Sequence, residues 1–118
     1  MNATETSVDE DVQSERPGDR ERAGLTRLCL LGPITAATAP RVRDVIRGYA
    51  ERGCDRLLLD LERVTAVDAV GVAALLSGQK LIDARPGGAL VLRLNAEVRR
   101  ALRDSGTIAV FRIVDARE

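Results

Sequence analysis

The sequence predicts an α/β fold: a four-stranded, mostly parallel central sheet with three or four helices, an extra N-terminal strand being the one open addition. Three observations predict it. Short apolar runs near 25–31, 56–61, 89–94 and 110–114 alternate with segments of helical period. Each intervening segment is long enough to be a helical crossover, the connection that parallel neighbours need. The chain has 118 residues, 45% of them hydrophobic, which suits one folded domain.

The elements follow in order. Leu25 to Leu31 reads as a strand, with Gly32-Pro33 as its stop. Thr38 is placed to cap a helix, and Pro40 falls in its first turn, where a missing N–H is harmless. Val42, Val45, Ile46 and Tyr49 then repeat at i, i+3, i+4, i+7, the stripe of a surface helix ending near Gly53. The run Arg56-Leu57-Leu58-Leu59-Asp60-Leu61 fits a strand covered on both faces, with Asp60 read as its end. Val64 to Val67 leads to Asp68 and a second helix from about Val70 to Ala84, stopped before Pro86-Gly87-Gly88. Ala89 to Leu94 is a buried strand. Asn95 caps a third helix that buries Val98, Ala101 and Leu102 and ends at Ser105-Gly106, and Val110 to Val114 closes the sheet.

Residues 1–24 hold seven acids and three arginines, a net charge of −4, and residues 25–118 carry +4. The first segment lacks apolar periodicity, so it cannot bury enough surface to offset its ordering entropy. The expected organisation is a disordered acidic tail over 1–22 and one domain over 23–118.

Composition excludes much chemistry. There is no histidine, which removes His-based acid–base catalysis and the commonest zinc ligand. Cys29 and Cys54 form no CxxC; Cys29 reads as core and Cys54 as a turn thiol. No apolar run approaches a bilayer span and no secretory h-region is visible, so a cytoplasmic protein without membrane insertion is expected. Arginines cluster at 41, 43, 47, 52 and 56 and at 99, 100 and 103. Acids interrupt the first group, and Tyr49 and Phe111 are the only aromatics, so these are read as solvated helix faces and no nucleic-acid partner is expected. Gly87-Gly88 follows a helix rather than opening one, a poor dinucleotide signal. No catalytic residue, metal site or cofactor is expected.

The informative stretch runs from Leu59 to Leu76. Asp68 sits where its carboxylate can accept the free N–H groups of the second helix, and Gly71 keeps that helix start uncluttered. Such a terminus also favours a phosphate. Val72, Leu75, Leu76 and Ile82 form one apolar stripe, while Val70, Ala74, Ser77 and Leu81 fall on the other side. An apolar outer face there points either to a protein contact or to cover by the chain's own residues.

These residues resemble the signature of STAS domains, the domains of sulfate transporters and anti-sigma factor antagonists. The family pattern is an apolar strand ending in Asp-Leu, a short loop, then Asp-Ser-Ser/Thr-Gly and an apolar helix. Leu59-Asp60-Leu61 and Asp68-Ala69-Val70-Gly71 stand in those places. Gly32, Thr38 and Ala39 match the first strand–loop–helix; Gly87 to Leu92, Val98 to Leu102 and Ser105-Gly106 match the closing half. The resemblance spans about residues 25–114.

It implies a non-enzymatic module that binds a kinase-like anti-sigma factor. In family members that partner phosphorylates the hydroxyl residue after the aspartate, and the added charge releases it. Here Ala69 stands in the acceptor slot and Val70 in the next, so the resemblance implies binding without that switch. The partner surface expected from it comprises Thr35, Thr38, Asp68, Ala69, Val70, Gly71, Ala74 and Ser77. The rival expectation is an accessory subunit of an ABC lipid-transport system, held by its ATPase, or of a stress-signalling scaffold. A nucleotide sensor is a weaker third, because the chain has no phosphate loop.

Overall fold

The computed structural model describes residues 5–7 and 25–114. Five strands, β1 (Glu5–Ser7), β2 (Thr26–Ile34), β3 (Arg56–Val67), β4 (Ala89–Arg93) and β5 (Arg112–Val114), form one sheet in the order β1-β2-β3-β4-β5. Every pairing is parallel. Three α-helices, α1 (Ala39–Glu51), α2 (Ala69–Asp83) and α3 (Ala96–Asp104), make the crossovers, and a 3-10 turn (Ile108–Val110) precedes β5. The expected four-strand parallel sheet and three helices are therefore present. The extra N-terminal strand is β1, which lies inside the segment expected as tail. The rest of that expected tail, residues 1–4 and 8–22, lies outside the described residues.

One sheet face carries the core. Leu28 and Leu30, Leu57, Leu59 and Leu61, and Leu90 and Leu92 alternate onto it and pack with Val42, Ile46, Val72, Leu75, Val98 and Leu102 of the helices. Cys29, Leu58 and Asp60 alternate onto the other face and are also buried. Helices α1 and α2 meet closely at Gly78, where an added Cβ would come 2.5 Å from Ile46 Cδ1.

Several sequence expectations need correction. Gly32-Pro33 does not stop β2, which runs on to Ile34. Among the described residues β1 pairs with β2 only as far as Leu31, so no described strand needs an N–H from Pro33 on that side. The last strand starts at Arg112, two residues later than expected, after the 3-10 turn. Cys54 is buried rather than a turn thiol on the surface; its Sγ donates to Arg56 O at 3.5 Å.

Asp60 does not end β3. It lies in mid-strand, where one carboxylate oxygen meets Arg27 of β2 at 3.0 Å and Arg93 of β4 at 3.4 Å. The other accepts the Glu62 N–H at 3.1 Å. Burial pushes the Asp60 carboxyl up, but the Glu62 N–H and the two guanidiniums outweigh it and hold the group below the ordinary carboxylate range. Three strands are thus tied by one buried ion cluster.

The β2–β3 register slips twice, between Cys29 and Leu31 and between Gly32 and Pro33, and each slip adds one residue to β3. The first flips the face of β3, so that Val64 joins the core after Leu61; the second flips it again, so that Val67 packs there and Asp68 follows.

Removing the Asp60 charge takes away the anion that two guanidiniums face, one of them nearly buried. Asp60→Asn should cost about 3 kcal/mol, the low end for breaking a buried pair because Arg27 is half exposed. Urea denaturation with an unchanged m-value checks it. The depressed carboxyls of Asp60 and Asp68 contribute stability above their unfolded pKa values and lose it as pH falls through the folded ones. Stability should therefore be flat from neutral pH to about 5 and fall below about 4. A pH series of thermal midpoints that stayed level to pH 2 would contradict this.

Candidate functional site

The site forms where the C-terminal ends of β2 and β3 pass into α1 and α2. After β2, Thr35 to Thr38 make one locked turn. Thr38 N donates to Thr35 O at 3.0 Å and Ala39 N to the same oxygen at 2.7 Å. The Thr38 hydroxyl donates to Pro33 O and accepts from Thr35 N, both at 2.9 Å. Thr38 occupies the N-cap position of α1 as expected but does not cap with its side chain. Its hydroxyl is spent on the turn before the helix, so its role is to fix the loop.

Asp68 caps α2. Its Oδ1 accepts the Gly71 N–H at 2.8 Å, and its Oδ2 accepts the Ala36 N–H of the β2–α1 turn at 3.1 Å. The Asp68 N–H donates to Ile34 O at 3.3 Å. One exposed residue therefore clamps two loops and a helix terminus. The Gly71 bond leads a set of backbone N–H donors that outweighs slight desolvation and holds this carboxyl below its ordinary range. The sequence pattern revealed the cap but not the second donor, because Ala36 lies 32 positions away and contributes only backbone.

Gly71 does more than clear the helix start. A Cβ there would fall 1.9 Å from Ile34 O. The first turn of α2 lies directly on the end of β2, and any side chain at 71 would push the two apart.

The remaining expected site residues divide. Ala69, Val70 and Ser77 are exposed, with Val70 at 44% one of the two exposed large hydrophobics among the described residues. Thr35 is half-buried and Thr38 buried. Ala74 is fully buried, which corrects its placement on the outer face: it turns with Gly71 and Gly78 into the packing of α2. The outer stripe of α2 is Val70, Ala73, Ser77 and Lys80, at spacings of 3, 4 and 3. Ala36 and Ala37 of the turn are also exposed. The result is a carboxylate of fixed position bordered by small apolar side chains. Among the described residues no group of side chains could hold a metal ion, and no helix is long and apolar enough to cross a membrane.

The family pattern of the STAS domain matches residues 19–118. The chain belongs to the STAS domain family. This STAS domain is 25% identical over 95 residues to BtrV of Bordetella bronchiseptica, assigned as an anti-sigma factor antagonist, covering 80% of this chain and 82% of BtrV. It superposes on a sulfate transporter family protein of Wolinella succinogenes with a TM-score of 0.67 and 26% identity, over 80% of this chain and 78% of that one. It also superposes on the phosphorylated Bacillus cell fate determinant SpoIIAA with a TM-score of 0.59 and 20% identity, over 78% of this chain and 82% of SpoIIAA. At that identity the last likeness is one of fold.

Placing a methyl group at position 71 should force α2 off β2. Gly71→Ala is expected to lose about 1–3 kcal/mol, read by urea denaturation, and to shift the amide signals of Ala36 and Val72. Wild-type stability in that variant would mean the two elements are not in contact. Asp68→Asn should leave the fold in place but speed amide exchange at both Gly71 and Ala36, because a neutral amide oxygen is a weaker acceptor and only one oxygen remains. Exchange unchanged at Ala36 would remove the proposed clamp.

Proposed function

We propose that this STAS domain is a cytoplasmic, non-enzymatic anti-sigma factor antagonist that binds a kinase-like anti-sigma factor at the start of α2. The carrying observation is the surface at that point. Asp68 is fixed by the Gly71 and Ala36 N–H groups, and the two residues that follow it, Ala69 and Val70, are exposed. The similarity to BtrV supports the partner class. Contact residues on this reading are Thr35, Asp68, Ala69, Val70, Ala73 and Ser77. Gly71, Thr38 and Ala74 act by holding the backbone and packing beneath them.

Ala69 takes the place of the phosphorylatable residue. A methyl group has no oxygen to carry phosphate, so the partner's kinase activity cannot eject this protein at that position. Binding is then governed by the abundance of the two proteins. A second reading, a STAS accessory subunit of a transport assembly, draws on the similarity to the Wolinella succinogenes sulfate transporter family protein. A pull-down from the native cell that recovers a transporter ATPase and no anti-sigma factor would select it.

Titration calorimetry against the cognate anti-sigma factor tests the first reading. Val70→Asp places a charge in the apolar surface and should weaken binding at least roughly tenfold. With ATP present, wild-type affinity should stay constant over time, whereas Ala69→Ser should gain one phosphate and lose affinity. Equal affinity for Val70→Asp, or phosphate transfer to the wild-type chain with release, would overturn it.

A further inference from the structure

We propose that Asn95, 27 positions away in sequence, is a positioning residue for the Asp68 site, acting through the bulged half of β3. β4 ends at Arg93, opposite Asp60, so β3 runs on from Leu61 to Val67 with β4 no longer beside it. The first register slip falls in this unsupported stretch, between the partners of Cys29 and Leu31. A bulge leaves backbone groups without ladder partners, and each must be met by something else. Side chains meet them here. Asp60 accepts the Glu62 N–H at 3.1 Å. Asn95 Nδ2 donates to Glu62 O at 3.0 Å and to Val64 O at 2.8 Å, using both amide hydrogens.

The same Asn95 caps α3. Its Oδ1 accepts the Val98 N–H at 2.7 Å, and its main-chain oxygen accepts the Arg99 N–H at 3.0 Å. One side chain therefore joins the start of α3 to the bulged strand. From Val64 the path to the site is short. Val64 pairs with Gly32, Ala66 with Pro33, and Val67 with Ile34; Ile34 O then accepts the Asp68 N–H. If the bulge relaxed, the three residues between Val64 and Asp68 would lose their register, and the carboxylate would leave the Gly71 and Ala36 N–H groups. Helix capping alone does not require the Asn95 donors: serine caps as well, with an oxygen only.

That difference supplies the test. Asn95→Ser keeps a capping oxygen for Val98 and removes both bonds to β3. In the full chain the expected result is amide exchange at Gly71 and Ala36 faster by roughly tenfold, the scale of a lost pair of hydrogen bonds of which one is partly buried and one exposed. The Asp68 carboxyl should titrate closer to the ordinary value, while Val98 and Arg99 change by less than about threefold. Unchanged exchange at Gly71 and Ala36 would overturn the proposal. So would a rise there no larger than at Val98 and Arg99, because that is what a merely capping residue would give. A measurement on the wild-type chain decides the matter if the variant does not fold. In native-state exchange under increasing denaturant, the Val64, Gly71 and Ala36 amides should open as one unit with a common denaturant slope. Independent opening would overturn it. Neither readout involves a partner, so failure here leaves the binding reading standing, and failure of binding leaves this one standing.

Discussion

Everything at the site depends on one close approach, that of the first turn of α2 to the carbonyl of Ile34. A helix can lie this near to a strand end only where a side chain is missing, and Gly71 supplies the gap. The approach brings the cap of α2 within reach of the neighbouring β2–α1 turn, so that Asp68 accepts from both. It also determines which side of α2 is covered: Ala74 and Gly78 follow Gly71 inward, and Val70, Ala73 and Ser77 are left outside. Exposed apolar surface at the start of α2 is thus a geometric consequence of burying the glycine side.

The strand that carries Asp68 is unusual in having to leave its ladder to get there. Two added residues carry β3 past β2 while restoring the face of Val67. The cost is a set of displaced backbone groups, and the buried Asp60 and the half-buried Asn95 are arranged around them. Asp60 takes an N–H from the bulge and is itself held by Arg27 and Arg93; Asn95 takes two carbonyls. A buried ion cluster is weak evidence for stability by itself, because desolvation cancels much of its attraction. Here it has a structural task that an apolar replacement could not perform, since no methyl group can accept the Glu62 N–H.

Most of the architecture was legible in the sequence, because it rests on period and punctuation. The helices at 39–51, 69–83 and 96–104 follow from apolar spacing and from Thr38, Asp68 and Asn95 at their starts. What sequence reasoning missed were contacts between residues far apart in the chain and the face of a helix with little polarity. Thr38 looked like a side-chain cap because its position is right, yet the turn competes for its hydroxyl and wins. Asp60 looked like a strand end because a carboxylate in a buried strand is costly, and only the folded sheet shows the two arginines that compensate it. Ala74 was put on the wrong face because an apolar helix has little amphipathic signal, and its neighbour Gly78 gave no polarity to orient by. One sign of the bulges was present. The apolar positions Leu57, Leu59, Leu61, Val64 and Val67 change from a spacing of two to a spacing of three, which no regular strand allows.

The electrostatics of the site bear on what a switch at position 69 would have to do. A phosphate is usually welcomed at a helix N-terminus because free N–H groups face it. In α2 the Gly71 N–H is already committed to Asp68, and Val72 N donates to the Asp68 main-chain oxygen at 2.9 Å. A dianion on residue 69 would then stand beside an ionised carboxylate with part of the helix-end donors already spent. It would gain little from the domain itself, so its main effect would fall on whatever lay against the surface. A hydroxyl at this position is therefore suited to signalling outward and unsuited to refolding the domain. The alanine there adds no charge beside Asp68, and the clamp and the exposed stripe stand without it. The fold makes no demand on the side chain of residue 69, because neither the close approach at Gly71 nor the bonds of Asp68 pass through it.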